Sequence, residues 1–218
     1  MVRMDKGCVF CDRAQFEERL IFENRDWYVI ATLGQITDGG YVLLVSRRHA
    51  PCVGSVTEPE IAELCSVLEI ARQAVEKEYD FQPIIFEHGI VGQTIQHAHL
   101  HLLPVEINLN RKVLDDFPNE DTDLVISPEA FETFRRVYAS CGGKYLLCGN
   151  FLRSLRGYSL MLQVVWDPPA PAQYLRKVAA ELLGRPERAN WRNMDPELDK
   201  RLWKETVERL RPYFRHRS

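Results

Sequence analysis

His97-Ala98-His99-Leu100-His101-Leu102-Leu103-Pro104 is the stretch on which the fold turns, because imidazoles and apolar side chains alternate along it. Period two is the period of a strand. In an extended chain rising ~3.3 Å per residue, positions 97, 99 and 101 share one face, while Ala98, Leu100 and Leu102 enter the opposite layer. Burying three imidazoles as mere filler would strand their ring nitrogens. A strand over residues 95–105 with a functional face is therefore expected.

The neighbouring segments supply the rest of a sheet. Upstream lie a glycine-containing loop at residues 89–93 and a strand at 83–86. Before them, Thr57-Glu-Pro-Glu60 has the capping-box spacing, and Ile61, Leu64, Cys65, Leu68, Ala71 and Val75 recur at helical intervals, so a long amphipathic helix follows. Earlier still, residues 20–23 and 27–31 read as short strands and residues 40–46 as a buried strand running into Arg47-Arg48-His49. A meander, a helix and two further strands make an α+β, antiparallel architecture.

Beyond Val105 the acidic run Asn119-Glu-Asp-Thr-Asp123 reads as a break, with an acidic linker near 115–126 separating a unit at 1–110 from a C-terminal α+β extension at 111–218. In the extension, Ser127-Pro128 starts a helix carrying Phe131, Phe134 and Tyr138, and Gly142-Gly143 ends it. Strands are expected at 144–149 and 158–167, a helix at 172–183, and a last helix from Asp195-Pro196 to about Arg211. The Arg209–Arg215 cluster reads as a solvated tail, and Trp166, Trp191 and Trp203 as core or interface residues. Gly40-Tyr-Val-Leu-Leu-Val and Gly157-Tyr-Ser-Leu-Met-Leu are faintly alike, too briefly to establish a repeat.

Composition narrows the function. Lys plus Arg at 28 against Asp plus Glu at 31 leaves a net charge of −3 in 218 residues, which provides no basic field for DNA. No apolar run approaches the ~18 residues of a membrane span. Arg3 and Lys6 with no apolar run before Cys8 do not make a signal or transit segment, so the cytoplasm is the expected location. Among six cysteines, Cys8 and Cys11 form a C-x-x-C turn able to aim two thiolates at one point, which requires a second pair of ligands. A redox role would want a strand before the motif, and only seven residues precede Cys8. Cys52, Cys65, Cys141 and Cys148 sit in apolar patterns and read as small buried hydrophobes. Five of the six histidines fall between His49 and His101, and the sixth is His216.

The run from His97 to Leu103 resembles the histidine-triad (HIT) signature, His-φ-His-φ-His-φ-φ with φ apolar. The likeness extends to Gly92-Gln93-Thr94, to Cys8-Val-Phe-Cys11, to Gly40-Tyr-Val-Leu-Leu-Val before Arg48-His49, and to Phe86-Glu-His-Gly89, and covers roughly the first 105 residues. It implies a HIT-like antiparallel sheet, reaction at the α-phosphate of a nucleotide conjugate, and frequently a homodimer. Carried over by position, His99 is the nucleophile that becomes covalently nucleotidylated. His101 then donates to a non-bridging phosphate oxygen, and Gln93 and Thr94 bind phosphate or the leaving group. The resemblance also implies a zinc held by Cys8, Cys11, His49 and His97, and a closed Cys2His2 shell makes such a zinc structural.

The chain departs from the family where a ribose-binding acid or amide is expected. Residues 31–38 read Ala-Thr-Leu-Gly-Gln-Ile-Thr-Asp, so Gln35 or Asp38 would have to substitute, or the site takes another sugar-phosphate. Glu87 is expected to bind substrate. The C-terminal half resembles the extensions of longer bacterial members, and could cover the dimer face and leave a monomer. The expected activity is hydrolysis of a dinucleoside polyphosphate or nucleoside phosphoramidate. Transfer of the same intermediate to a phosphate or sugar-phosphate, a hydrolase whose catalytic metal is held by the three imidazoles, and a non-catalytic nucleotide-binding protein are the alternatives.

Overall fold

In a computed structural model, which describes residues 7–154 and 157–215, eight strands form one antiparallel sheet in the order β1-β2-β3-β5-β4-β7-β8-β6. The strands are β1 (Leu20–Glu23), β2 (Trp27–Ala31), β3 (Val42–Ser46), β4 (Ile84–Glu87), β5 (His99–Leu103), β6 (Thr122–Ser127), β7 (Tyr145–Ser154) and β8 (Gly157–Trp166). Among the described residues five α-helices cover the sheet: α1 (Glu58–Tyr79), α2 (Leu109–Asp116), α3 (Ala130–Cys141), α4 (Tyr174–Leu182) and α5 (Pro196–Leu210).

α1 begins as the sequence predicts. The Glu60 carboxylate accepts from the Thr57 N–H (2.6 Å) and hydroxyl (2.8 Å), and the helix closes on Asp80 in the left-handed region. Its apolar stripe of Ile61, Leu64, Val67, Leu68, Ala71 and Val75 is buried, together with Phe131 and Phe134 of α3 and Trp203 and Val207 of α5, on one face of the sheet. At ~1.5–3 kcal/mol per large apolar side chain, that stripe is what holds α1 down. The other face packs the N-terminal turn, α2 and α4 against Ile30, Leu43, Phe86 and Val165, and the histidine face of β5 opens there.

The C-terminal half echoes the N-terminal one. β6-α3-β7-β8 has the element order of β3-α1-β4-β5, and under that correspondence the sheet order β3-β5-β4-β7-β8-β6 is a palindrome hinged on the β4–β7 seam. At the seam Ile85 lies opposite Gly149, where a Cβ would come within 2.7 Å of Ile85 Cγ1. β8 carries Gln163 and Val165 on the face where β5 carries its imidazoles, and Gln163 is tied to Asn110 of α2.

Several expectations are corrected. The stretch read as an acidic linker, near 115–126, holds the end of α2 and most of the edge strand β6, and the C-terminal strands continue the same sheet. The histidine strand is shorter than 95–105, starting only at His99. The basic tail is partly anchored, since Arg209 donates to Glu78 O, Arg211 to Leu20 O, and Phe214 is buried. Cys141 is exposed rather than core, and Cys65 is half-buried. His216 lies outside the described residues. Among the described residues no helix is long and apolar enough to cross a membrane.

Candidate active site and metal centre

The late start of β5 separates the three imidazoles. His97 sits in a bend fastened by its own N–H to Ile95 O (2.9 Å) and by Ala98 N–H to Ala50 O. Its Nε2–H donates to Ser46 O at 2.6 Å, leaving Nδ1 3.4 Å from Cys8 Sγ and 3.7 Å from Cys11 Sγ. Cys11 Sγ is also 3.3 Å from His49 Nδ1, and the donor atoms of Cys8, Cys11, His49 and His97 all lie within 4.8 Å of one another. A tetrahedron with Zn–S ~2.3 Å and Zn–N ~2.0–2.1 Å has edges of about 3.3–3.8 Å, so the donor set and its spacing fit zinc. The Ser46 carbonyl fixes the His97 tautomer that such a site requires. Among the described residues this is the cluster with metal-binding geometry, and His99 and His101 are outside it. The three imidazoles therefore do not converge on one ion.

His99 and His101 instead line a pocket of about 270 Å³. His99 Nδ1–H donates to the His97 carbonyl at 2.5 Å, which leaves its Nε2 lone pair free. Burial lowers the pKa of both rings, so each is neutral near pH 7. The His101 ring stacks on Phe86 at 4.4 Å and 11°. Its Nδ1 lies 2.5 Å from the hydroxyl of Tyr41, a wholly buried phenol that burial pushes up to about 12 and that therefore keeps its proton. With no other acceptor for that proton among the described residues, the phenol donates to Nδ1, and the His101 proton must sit on Nε2. That Nε2 is buried without a hydrogen-bond partner, as are both amide atoms of Gln93. Polar groups orphaned in a pocket wall are groups waiting for a ligand.

The Gln93-Thr94 loop is held in place by Gly92, at φ 68°, which brings its backbone against Pro171 and accepts the Gln173 N–H at 2.9 Å. Gln93 and Thr94 line the pocket beside His99. Glu87 does not: its side chain leaves the opposite face of β4, where it accepts from Val53 N–H (2.8 Å) and Tyr145 hydroxyl (2.5 Å). Period two explains the correction, because adjacent strand residues cannot share a face. Burial raises the Glu87 carboxyl to about 8. The two ribose substitutes are also engaged elsewhere. The Gln35 amide bonds Thr32 O and the Tyr41 backbone, and Asp38 pairs with Arg185 and Arg188. Thr32, Gln15 and Arg19 are the polar groups at that end of the pocket.

Sequence reading overlooked four contributors. Tyr41 passes for an ordinary strand aromatic. His88 is buried, is lowered to about 3 by burial, and accepts the Leu175 N–H at Nε2. Trp191 and Arg176 reach the pocket from the C-terminal half. No local spacing could have flagged the last two, since Gly34, against which both lie, is more than 140 residues away.

The HIT domain family profile matches residues 13–107. Among characterised relatives, the nitrilase and fragile histidine triad fusion protein NitFhit of Caenorhabditis elegans is 29% identical over 90 residues, 40% of this chain and 20% of that one. Zinc finger CCCH domain-containing protein 64 of Arabidopsis thaliana is 25% identical over 199 residues, 86% of this chain and 32% of that one. The chain thus spans a fifth to a third of the length of these relatives. Among solved structures, a HIT family protein from Bacillus anthracis matches 52% of this chain and 92% of its own at 20% identity and a TM-score of 0.42. A zinc-bound histidine triad family protein from Mycobacterium smegmatis matches 62% and 96%, respectively, at 16% identity and a TM-score of 0.40. The HIT domain profile thus spans the strand, the loop and the imidazoles just described, and the likeness to the histidine-triad family lies in the N-terminal half of the chain.

Proposed function

We propose that the protein hydrolyses a nucleotide conjugate at its α-phosphate through a covalent nucleotidyl-His99. The observation that carries this is the hydrogen bond from His99 Nδ1–H to the His97 carbonyl, which presents a neutral Nε2 lone pair to a pocket whose opposite groups are unpartnered. Nε2 attacks the α-phosphorus as the bond to the leaving group breaks, and the His97 carbonyl steadies the positive charge that develops on the ring. His101 Nε2–H and the Gln93 amide donate to the phosphate oxygens as their charge grows, with Thr94 beside them. Water then attacks phosphorus and gives up a proton to solvent, the P–N bond breaks with its electron pair passing to Nε2, and His99 returns to its neutral form. Zinc held by Cys8, Cys11, His49 and His97 would brace the N-terminal turn and, through His97, the carbonyl on which His99 is aligned; it supplies rigidity rather than chemistry.

Binding of a small nucleotide conjugate in the cytoplasm, without DNA or membrane, completes this reading. The C-terminal half occupies the β4 edge, so the protein would act as a monomer. Incubation with labelled substrate and a brief acid quench should trap an acid-labile, alkali-stable adduct in the wild type and none in His99→Ala. Turnover should fall ~10³-fold or more in that variant, and retention within about tenfold refutes the assignment. If inorganic phosphate diverts the product from a nucleoside monophosphate to a diphosphate, the intermediate is passed to an acceptor and the enzyme is a transferase.

A further inference from the structure

α4 carries Arg176 into the pocket wall from outside the HIT domain. The side chain is 4% exposed and forms no ion pair among the described residues. Nε donates to Ala189 O at 2.9 Å, Nη2 donates to Arg188 O at 3.1 Å and to Gly34 O, and the guanidinium lies beside the Tyr41 phenol, 5.5 Å from its ring centre. Carbonyl dipoles orient a guanidinium but do not neutralise it, and a buried cation without a counter-ion is costly. Among the described residues Arg19 and Arg176 are the charged groups lining the pocket, and neither Asp nor Glu borders it. An anionic ligand would supply the missing charge.

We propose that Arg176 is a substrate-binding residue for a phosphate oxygen, and that the pocket it completes selects phosphoanhydrides, whose leaving group is a phosphate, over phosphoramidates, whose leaving group is an amine. The inference rests on the hydrolase reading above and deepens it. When the P–O bond of an anhydride breaks, the electron pair departs as phosphate oxygen charge, which the Arg176 guanidinium can meet without any proton transfer. When a P–N bond breaks, the nitrogen must gain a proton as it leaves, and a substrate bearing an ammonium needs an anion to hold it. Among the described residues the pocket has no carboxyl group for either task.

The test compares diadenosine triphosphate with adenosine 5′-phosphoramidate in wild type, Arg176→Met and Arg176→Lys, alongside calorimetric binding of inorganic pyrophosphate. The wild type should favour the triphosphate in kcat/KM. Arg176→Met should lose about 10- to 100-fold on the triphosphate, the span of one charge-assisted hydrogen bond, and no more than about threefold on the phosphoramidate. Its pyrophosphate affinity should fall by about tenfold or more. Equal losses on both substrates would show that Arg176 only holds the Gly34 and Ala189 carbonyls, and overturn the proposal. A wild-type preference for the phosphoramidate, or pyrophosphate binding that Arg176→Met leaves unchanged, also overturns it. Should Arg176→Met not fold, Arg176→Lys decides, retaining pyrophosphate binding within about threefold if charge is what matters. Absence of any His99 adduct would defeat the hydrolase reading alone, because the pyrophosphate measurement needs no turnover.

Discussion

Replacing Tyr41 by Phe removes one oxygen from the buried interior and tests how His101 is held. The phenol lies 2.5 Å from His101 Nδ1 and cannot be replaced by water without opening the packing against Phe86 and Leu43. Losing the bond strands Nδ1, at a cost of ~1–3 kcal/mol in stability. Without the phenol Nδ1 is unpaired whether or not it carries the proton, so nothing selects the Nε2–H tautomer, and the Nδ1–H form turns a bare lone pair toward the phosphate where a donor is needed. Full loss of one such donor costs ~10²–10³-fold in kcat, and partial occupancy of the wrong tautomer costs less, so a fall of ~10- to 100-fold is expected. Steady-state hydrolysis of diadenosine triphosphate measures it, and His99 should still form its adduct. Nitrogen-15 imidazole spectra give a readout free of substrate: the Nε2–H form should dominate in wild type and share with Nδ1–H in Tyr41→Phe. Wild-type kcat within twofold, or an Nδ1–H tautomer already present in the unaltered protein, would refute the reasoning.

Two further outcomes follow from groups outside the pocket. Removing the metal with a chelator, or making Cys8→Ser, should abolish stoichiometric zinc and lower Tm while His99 itself is untouched; equal Tm with unchanged zinc content contradicts the centre. Glu87, whose carboxyl is raised to about 8 by burial, is protonated in the fold where the unfolded chain ionises above about pH 4.5. Its contribution to stability is therefore complete below pH 4.5 and lost as pH rises toward 8, at up to ~1.4 kcal/mol per pH unit. Glu87→Gln should remove that slope, so the Tm difference between the two proteins should shift in favour of the variant from pH 5 to pH 8. A constant difference across that range defeats the argument.

What the sequence showed, and what it hid, divides along physical lines. β1, β2 and the α1 capping box were legible because short-range periodicity and local hydrogen bonds create them. The Cys8, Cys11, His49 and His97 cluster and the place of His99 in the pocket were legible because a C-x-x-C turn and alternating imidazoles set residue types at fixed spacing. His97 looked like a third member of one face, yet the Ser46 carbonyl and the cysteines pull it into a bend, and no alternation pattern encodes a bend. β6 was hidden because its apolar Leu124 and Ile126 are exposed on an edge strand between acidic neighbours, so burial never stamped a pattern on it. Tyr41 and Arg176 acquire meaning only when the sheet and α4 bring distant segments together. The echo between β3-α1-β4-β5 and β6-α3-β7-β8 survives in strand order alone, beyond what a six-residue likeness could reveal.

The seam between β4 and β7 has a consequence for how such a molecule can change. A two-fold dimer must accept every substitution twice, at mirrored places, so a bulky residue near its axis meets its own copy. Here Ile85 meets Gly149, and each side is free to vary alone. Tethering also makes the junction indifferent to dilution, which leaves the second half at liberty to trade its own imidazole face for a guanidinium lent to its neighbour.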